Sequence, residues 1–375
     1  MNAGITRALV IGGGFSGMAA AIQLSGQGVA VDLVEIDAGW RSYGAGISLH
    51  GATFRVFDTL GILEGFRAQG AMTDGVEMRG PQDQVFATLP TPSAAPGLPG
   101  TGGTMRALLA KLLADRVRQT KTNVRLGLSF STISPDSDGV DVTFTDGTRA
   151  RYDLVIGADG LNSAVRRALW PEAAAPRYVG QAVWRAVLER PAHLPTVAMW
   201  MVPGLKAGIN HVSETHSYLF LTEDRPVNDF VEADSQLEML KRLLAQFPSP
   251  TLREVADKLS TESQIVYRPL EMLLLPQPWA KQRVVLIGDA VHATTPHMAA
   301  GAMIGLEDAV VLSEEIGRAH DLASALDTFQ SRRWERCRMV VENSYRLAEI
   351  EQGHGTPEEH KQIMGKTLGA LAQPI

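Results

Sequence analysis

The sequence predicts an α/β fold: a parallel sheet covered by helices, an inserted and mostly antiparallel sheet, and a long C-terminal helix. Near the N-terminus, residues 8–11 and 30–35 have strand patterns and enclose a small-residue helix at 15–27, which makes a β-α-β unit. Residues 177–224 alternate with period two, as in a sheet with one exposed face. A highly charged helical pattern then covers residues 326–351.

The remaining elements follow from local patterns. Apolar residues at helical spacing predict helices at 53–60, 105–117, 234–246 and 251–259. A hairpin turn is expected at Asp146-Gly147, and strands are expected at 123–130, 139–145, 148–153, 154–156 and 284–287. Pro, Gly, Thr and Ser dominate residues 81–103, which favours a long excursion away from the core.

These patterns divide the chain into two discontinuous domains. We expect the domain of the parallel sheet, which includes the C-terminal helix, to comprise residues 1–72, 101–176 and 270–375. The inserted sheet would form the second domain, from residues 73–100 and 177–269.

The composition is that of an ordinary globular protein, with 45% hydrophobic and 20% charged residues among 375. The net charge of −6 gives no electrostatic reason to expect nucleic acid or an anionic membrane as a partner. We interpret the basic cluster of Arg332, Arg333, Arg336 and Arg338 as a solvated helix face. The single cysteine, Cys337, excludes an intrachain disulfide and a cysteine-based metal site. Since no apolar run reaches about 18 residues, we expect a cytoplasmic protein, monomeric or homodimeric.

The first chemical motif is the turn Gly12-Gly13-Gly14-Phe15-Ser16-Gly17, which fits G-x-G-x-x-G between a strand and a helix. Its glycines permit a tight turn, a close approach of the backbone to a pyrophosphate, and close packing of the helix on the strand. The helix N-terminus offers free N–H groups and the positive end of its dipole. Glu35 ends the next strand, where a carboxylate can accept from ribose hydroxyls. The motif predicts a Rossmann-like site for a dinucleotide, either NAD or FAD.

Two further turns that pair an acid with a glycine follow buried strands. Asp159 and Gly160 lie in the stretch ADG-x-x-S-x-V-R, and Gly288 and Asp289 follow the strand at 284–287. A carboxylate at the end of such a strand can accept from the sugar hydroxyls of an extended ligand. The turn that follows Gly288 and Asp289, at residues 296–301, aims a helix N-terminus at whatever lies above it.

The three motifs, with Arg41 and Gly44-Ala45-Gly46-Ile47, resemble those of the single-component FAD-dependent aromatic hydroxylases, or flavoprotein monooxygenases. Salicylate, 4-hydroxybenzoate and 6-hydroxynicotinate hydroxylases belong to this family. The resemblance covers about residues 5–345 and implies an FAD held at both ends by the first and third motifs. It places Glu35 on the adenosine ribose, Arg106 near the diphosphate and Asp289 on the ribityl chain. The chain departs from the family at 299–301, where Ala-Ala-Gly replaces the common Gly-Gln-Gly.

The resemblance also assigns the middle motif to both FAD and NAD(P)H, and the helix N-terminus after residue 300 to the flavin. No second complete G-x-G-x-x-G motif follows the first, so we expect no separate nicotinamide domain. The cofactor-binding residues expected are Gly12, Gly14, Phe15, Ser16, Gly17, Glu35, Arg41, Arg106, Asp159, Gly160, Gly288, Asp289, Pro296, Gly301, Ala302 and Met303. No metal site is expected, because no His, Asp or Glu cluster has metal-ligand spacing.

The function implied is an FAD-dependent monooxygenase. NADH or NADPH reduces the flavin, which combines with O2 into a C4a-hydroperoxide that hydroxylates an aromatic or N-heteroaromatic, phenol-like ring. The alternatives are another FAD-dependent oxidoreductase of the same fold (an oxidase, a reductase or an antibiotic-inactivating hydroxylase) and a non-catalytic flavin-binding protein. A NAD-dependent dehydrogenase would explain the first motif but would leave the other two without a purpose.

A ring is a better nucleophile when its hydroxyl is ionised, so a base is expected in the site. The candidates are His211 on a strand of the inserted sheet, His50 after the Gly46-Ile47 segment, and His297 in the turn before Gly301. Arg185, in a V-W-R-A stretch that resembles the family's W-R-G, is either structural or binds flavin, diphosphate or an anionic substrate. The methionines of residues 298–303 either line a pocket or fill the core.

Overall fold

The computed structural model describes residues 3–42 and 44–375. Its strands are β1 Arg7–Ile11, β2 Ala30–Glu35, β3 Gly46–His50, β4 Ala71–Thr73, β5 Val76–Arg79, β6 Val85–Leu89, β7 Thr101–Met105, β8 Asn123–Leu126, β9 Phe130–Pro135, β10 Val140–Phe144, β11 Arg149–Tyr152, β12 Leu154–Gly157, β13 Arg177–Glu189, β14 Val197–Val202, β15 Leu205–His211, β16 His216–Asp224, β17 Ile265–Met272, β18 Ala280–Lys281 and β19 Val284–Leu286. Its α-helices are α1 Phe15–Gly26, α2 Gly51–Leu60, α3 Leu63–Arg67, α4 Arg106–Arg118, α5 Ala164–Leu169, α6 Ala233–Leu244, α7 Pro250–Lys258, α8 Asp289–His292, α9 Gly301–Arg318, α10 Leu322–Glu351 and α11 Pro357–Ala372. Pro81–Asp83 and Pro296–Met298 are short 3-10 helices.

The parallel sheet has six strands in the order β18-β19-β12-β1-β2-β8, and its edge strand β18 is antiparallel to β19. β12 and β19 are continuous apolar runs that are wholly buried, as expected for strands covered on both faces. Because β1, β12 and β19 are parallel neighbours, their carboxyl ends lie side by side. The turns that follow them, at residues 12–17, 158–163 and 288–292, therefore meet at one edge of the sheet.

The inserted sheet has seven strands in the order β17-β13-β16-β15-β14-β5-β6 and is antiparallel except where β14 pairs with β5. Its two faces differ in their surroundings. Leu205 and Ile209 of β15 pack with helices α6 and α7 in a second core. Since side chains alternate along a strand, Lys206 and Asn210 lie on the opposite face, which we call the front face. Asn210 bonds the Gly102 carbonyl oxygen of β7, so the front face is turned toward the sheet formed by β3, β7 and β4.

The predicted fold class is confirmed, and two local expectations are wrong. Residues 81–103 do not simply leave the core, because β6 pairs with β5 and β7 pairs with β3 and β4. The single strand predicted at 123–130 is two strands, β8 and β9, which belong to different sheets. Gly127 separates them with a φ of +69°, a conformation that glycine adopts without strain and that turns the chain.

The long C-terminal helix, α10, begins at Leu322, earlier than predicted, because Asp321 caps it by accepting from the Ser324 backbone N–H at 2.8 Å. Helix α11, which the sequence patterns did not predict, packs against α10. Among the described residues, no helix combines the length and the apolar character that crossing a membrane requires.

The interpretation of the basic cluster on α10 as a solvated face holds for Arg338, which pairs only with acids of its own helix, and is wrong for the other arginines. Arg333 is fully buried, with its guanidinium 3.0 Å from Glu307 and 2.8 Å from Asp308, both on α9. Arg336 pairs with the same Glu307 at 2.7 Å. Buried charges need partners of opposite sign, and here the partners come from a different helix. The arginines therefore attach α10 to α9.

Candidate active site

The first glycine turn has the shape that its sequence predicts. Gly12 has a φ of +107°, and a Cβ on it would lie 2.4 Å from the Ala158 carbonyl oxygen. A Cβ on Gly17 would lie 2.0 Å from the Gly12 carbonyl oxygen, so α1 can approach β1 only with glycine there. Gly14 is exposed, and nothing lies within 4 Å of where its Cβ would be. The N-terminus of α1 therefore opens onto free space.

Glu35 supports this turn from the neighbouring strand. Its carboxylate accepts from the backbone N–H of Gly13 at 2.7 Å and from that of Asp37 at 2.8 Å. Arg41, the next candidate along the chain, pairs with Asp37 at 2.9 Å. Both acids of this segment thus orient the backbone beside the turn, and Glu35 retains oxygen lone pairs for a further donor.

The third motif lies directly against the first. Gly288 has a φ of +62°, and a Cβ on it would lie 2.4 Å from the hydroxyl oxygen of Ser16. A Cβ on Gly305 of α9 would meet the same oxygen at 2.4 Å. Two glycines thus make room for one serine, and α1 packs closely on α9. The first and third motifs, far apart in the chain, form one continuous wall.

A cleft runs along this wall. Asp289 is exposed to solvent, yet the protein around its carboxyl group desolvates it and raises its pKa. Arg106 is half-buried, desolvation lowers its pKa, and its guanidinium lies 5.5 Å from the centre of the Phe15 ring. Among the described residues, no acid lies within ion-pair distance of Arg106. The cleft thus contains the N-terminus of α1, the accessible carboxylate of Asp289, and Arg106, which has no acidic partner.

In the middle motif the acid bonds to the chain's own backbone. Asp159 accepts from the backbone N–H groups of Ala164 at 2.6 Å and Val165 at 3.0 Å, which begin α5 after its N-cap, Ser163. Arg166 then donates to the Ala290 carbonyl oxygen at 2.8 Å and ties this motif to the third. Gly160 has a φ of +77° and open space around its Cβ position. This geometry supports a structural role for Asp159, and it leaves Gly160 next to free space.

The turn before α9 continues the wall. Pro296 begins a 3-10 turn, Ala299 has a φ of +49°, and α9 starts at Gly301 with its first N–H groups uncapped by a side chain. Gly301 and Ala302 are partly exposed, whereas Met298 and Met303 are each 1% exposed and belong to the hydrophobic core. The core interpretation of these methionines is therefore the one that the structure supports.

The front face of the inserted sheet roofs the cleft. Arg185 of β13 stands opposite Phe220 of β16, and Phe220 stands opposite Gly208 of β15. Met199 of β14 continues this row. Burial lowers the pKa of Arg185, and no described acid pairs with it. Apart from that guanidinium, the row is apolar.

A polar chain beside this row was not anticipated from the sequence. The Tyr218 and Ser48 hydroxyl oxygens are 2.6 Å apart, and the Asn210 side-chain N–H donates to Ser48 at 2.8 Å. Burial raises the pKa of Tyr218, so its phenol stays protonated. Its ring lies so close to Gly46 that a Cβ there would approach it to 2.2 Å. The predicted segment Gly44-Ala45-Gly46 contained a signal for this contact, because glycine allows an aromatic ring to approach the backbone.

The three candidate bases are far from equivalent. His211 is fully buried on the face opposite the cleft, with Nδ1 2.8 Å from the Ser217 hydroxyl and Nε2 2.8 Å from the Leu194 carbonyl oxygen. Both ring nitrogens are therefore occupied, and the geometry does not support the hypothesis that His211 is a base. The side chain of His297 is also fully buried and lies against Glu351 of α10.

His50 is the candidate that the structure leaves beside the cleft. It is half-buried, and its Nε2 contacts the Met298 carbonyl oxygen. A carbonyl only accepts, so Nε2 carries the hydrogen and Nδ1 holds the lone pair. Burial lowers the pKa of His50, which keeps the ring neutral. A neutral imidazole with a free acceptor nitrogen is suited to take a proton.

A cluster of His292, Asp308 and Cys337 has ligand atoms close enough for a metal ion. His292 Nε2 lies 2.6 Å from Asp308, and the Arg333 guanidinium donates to the same carboxylate at 2.8 Å. The Gly288 backbone N–H donates to it as well, at 2.9 Å. With a guanidinium already on the carboxylate, the cluster is an ion-pair network that supports the third motif rather than a cation site.

Taken together, the groups of the cleft fit an extended dinucleotide. The α1 N-terminus and Arg106 can receive phosphates, and Asp289 can accept from sugar hydroxyls. The open side of Gly14 and the lack of an acid beside Arg106 leave both ready for an anion.

Residues 5–344 match the family described as the FAD binding domain. Aurachin C monooxygenase/isomerase of Stigmatella aurantiaca is 31% identical over 362 residues, covering 94% of this chain and 91% of that protein. For 6-hydroxynicotinate 3-monooxygenase of Pseudomonas fluorescens the identity is 31% over 360 residues, with 90% of each covered. The crystal structure of Klebsiella pneumoniae HpxO complexed with FAD and uric acid matches with a TM-score of 0.82 and 26% identity, covering 99% of this chain and 93% of that one.

Proposed function

We propose that this chain, which belongs to the family of the FAD binding domain, is a monooxygenase whose substrate is an N-heteroaromatic ring bearing an ionisable oxygen. The chain is an FAD-dependent oxidoreductase that uses NAD(P)H and O2 to hydroxylate an aromatic or heteroaromatic compound. The observation that carries the proposal is the cleft, where both glycine turns meet beneath the front face of the inserted sheet.

Residues on both sides of the cleft would hold the cofactor. We propose that the N–H groups at Gly14 and the guanidinium of Arg106 bind the diphosphate, and that Glu35 accepts from the adenosine ribose. Asp289 would accept from the ribityl hydroxyls, and the uncapped N-terminus of α9 at Gly301 would face the flavin. When bound, FAD supplies hydride acceptance from NAD(P)H and the activation of O2.

The substrate class is proposed from the relatives and from the front face. One relative is named for 6-hydroxynicotinate and one solved structure contains uric acid; both compounds are nitrogen heterocycles with oxygen substituents on the ring. In this chain, Phe220 and Met199 offer apolar contacts for a flat ring, and Arg185 offers a positive charge without an acidic partner. A hydroxyl substituent that loses its proton would be stabilised by that charge.

We propose His50 as the base that takes this proton. Its Nδ1 is the acceptor nitrogen, and its lowered pKa keeps it deprotonated at neutral pH. Tyr218 is close enough to Arg106 and Arg185 for both charges to act on it, and its protonated phenol would donate a hydrogen bond at the roof of the site.

The domain division is also proposed. Its support is the separate origin of the two sheets. The six-stranded sheet takes its strands from residues 7–35, 123–157 and 280–286, and the seven-stranded sheet takes its strands from residues 76–89 and 177–272. A cytoplasmic setting is proposed because NAD(P)H is available there and because Cys337 is free and buried.

The proposal is tested with the FAD-loaded chain, NADH or NADPH, and 18O2, against hydroxypyridines, quinolones and purinediones. We expect one ring compound to gain a single 18O atom, as mass spectrometry of the product measures. A flavin-loaded protein that labels no ring compound, while it still oxidises NAD(P)H, would support an oxidase or reductase instead.

A further inference from the structure

A buried charged cluster lies outside the cleft, where the end of α10 meets the front face and the turn at residues 296–303. It consists of Lys206, His297, Glu351 and His360, and we call it the Glu351 cluster. Lys206 Nζ lies 2.5 Å from Glu351 Oε1, and the two side chains are 8% and 5% exposed. Glu351 Oε2 lies 3.4 Å from His297 Nε2, and His360 Nε2 lies 3.6 Å from Oε1. One carboxylate thus contacts the sheet, the turn and α11.

The side chain of His297 attaches the 296–303 turn to the protein interior. Its side chain is fully buried, although the residue as a whole is partly exposed, so its backbone is the part that faces open space. Its Nδ1 lies 2.9 Å from the Thr295 hydroxyl oxygen. When that hydroxyl donates to Nδ1, the ring hydrogen sits on Nε2 and points at Glu351. Among the described residues, neither Nε2 nor Glu351 Oε2 has any hydrogen-bond partner. The two atoms lie 3.4 Å apart, so a small adjustment of either side chain would let the ring N–H donate to the carboxylate.

The charges in the cluster agree with this geometry. Burial alone would raise the pKa of Glu351, but Lys206 and the two histidines hold it well below its usual range. Burial lowers the pKa of His297, although Glu351 opposes that shift. The cluster therefore contains a carboxylate, an ammonium that neutralises it, and a neutral imidazole that can donate.

We propose that Glu351 is a positioning residue: through His297 it holds the 296–303 turn against the cofactor site, and through Lys206 it ties that turn to the front face. This inference rests on the proposed function, because it assigns the turn to FAD. The N–H groups at the start of α9 bind a ligand well only if their directions are fixed before the ligand arrives. A side chain that anchors the turn from behind fixes those directions without touching the ligand.

The test starts with the wild type, Glu351→Gln, the double variant Lys206→Met with Glu351→Met, which has neither the charge nor a hydrogen-bond acceptor, and a control, Glu359→Gln. Glu359, in the first turn of α11, pairs with Arg346 of α10 at 2.8 Å in a partly exposed position and makes no ion pair with the Glu351 cluster. For each apoprotein, the FAD dissociation constant is measured by fluorescence titration and the thermal midpoint by circular dichroism.

We expect Glu351→Gln to lower both the FAD affinity and the thermal midpoint, since Lys206 is left buried and unpaired. The double variant removes that charge, so its midpoint should recover while its FAD affinity stays about tenfold below the wild type, the loss expected for one such hydrogen bond. The control should match the wild type in both measurements.

Two results would overturn the inference: full recovery of FAD affinity in the double variant, or unchanged affinity in Glu351→Gln. A second variant, His297→Ala, keeps the test independent of the Lys206 pair. It should lose about tenfold in FAD affinity by itself, and adding Glu351→Met and Lys206→Met to it should cost little more. A wild type that binds no FAD would instead contradict the proposed function, so the two failures are distinguishable.

Discussion

Ser16 lies against Gly288, so close that a Cβ on the glycine would stand 2.4 Å from the serine hydroxyl oxygen. The contact joins the first glycine turn to the last, although nearly the whole chain separates them. An extended cofactor needs contacts at both of its ends, and a parallel sheet supplies them by placing the ends of β1 and β19 at one edge. The chain thus has two glycine turns because both belong to one binding cleft.

Substitutions of two glycines in the first turn should have different effects, one on FAD affinity and the other on stability. Gly14→Ala puts a methyl group into open space at a φ of −73°, which alanine adopts readily, so the free energy of unfolding should change by less than about 0.5 kcal/mol. FAD affinity should nevertheless fall about tenfold or more, because the methyl group occupies the approach of the phosphates. Gly17→Ala should instead cost about 1–3 kcal/mol of stability, since its Cβ would lie 2.0 Å from the Gly12 carbonyl oxygen. Urea unfolding and FAD titration of both variants check this; a Gly14→Ala protein with normal FAD affinity would place the phosphates elsewhere.

Arg106 should matter for the cofactor and little for the fold. No described acid pairs with it, so Arg106→Met removes a half-buried charge without leaving an unpaired partner, and the apoprotein should melt at the same or a higher temperature. The FAD dissociation constant should rise by about 10- to 100-fold, as expected for the loss of a charged hydrogen bond. Differential scanning calorimetry and fluorescence titration measure the two effects, and destabilised apoprotein with normal FAD binding would contradict the assignment.

His50 should set the acid limb of the pH–rate profile. Because its pKa lies below 6.5, the neutral form needed for proton abstraction persists at neutral pH, and kcat should decline only as the pH falls below about 6.5. His50→Gln should lower kcat by about 100-fold and remove that limb. Single-turnover rates between pH 5 and 8 test this, and an unchanged profile in the variant would exclude His50 as the base.

His211 should behave as a structural residue. His211→Gln leaves at least one buried polar partner unsatisfied, so the free energy of unfolding should fall by about 1–3 kcal/mol. The kcat of the folded variant should remain within about threefold of the wild type, because the imidazole lies on the face away from the cleft. A folded variant with a kcat reduced by about 100-fold would restore His211 as a catalytic candidate.

The His292–Asp308 pair should give the protein a stability that declines at alkaline pH. The pKa of His292 is raised well above 6.5 in the fold by the Asp308 carboxylate, which outweighs the effect of burial. Its contribution is therefore fully present below pH 6.5 and is lost as the pH rises through the folded-state pKa, by about 1.4 kcal/mol for each unit of the shift. Urea unfolding between pH 6 and 9 should show this decline in the wild type and a flatter curve in His292→Gln. Equal slopes in the two proteins would contradict the assignment.

The sequence predicted those features of the fold that depend on residues close together in the chain. The β-α-β unit and its glycine turn depend on residues within one short segment, and the sequence shows all of them. The burial of Arg333 was missed because its partners, Glu307 and Asp308, lie on another helix, and charge pattern alone does not reveal which helices meet.

The buried position of His211 had a signal in the sequence. His211 follows Leu205, Ala207 and Ile209 at intervals of two, so its side chain lies on the same face of β15 as these apolar residues, and that face is buried. The Glu351 cluster had no such signal, because β15, the 296–303 turn and the end of α10 come together only in the folded chain.

The most direct test of the central claim measures NAD(P)H consumption and H2O2 formation together, in air, with the FAD-loaded protein and a panel of hydroxylated heteroaromatic rings. We expect one compound to accelerate NAD(P)H consumption while little peroxide accumulates, because the oxygen atom enters the ring instead of leaving as H2O2. This expectation would be contradicted if no compound in the panel accelerated consumption, or if the peroxide formed equalled the NAD(P)H consumed with every compound.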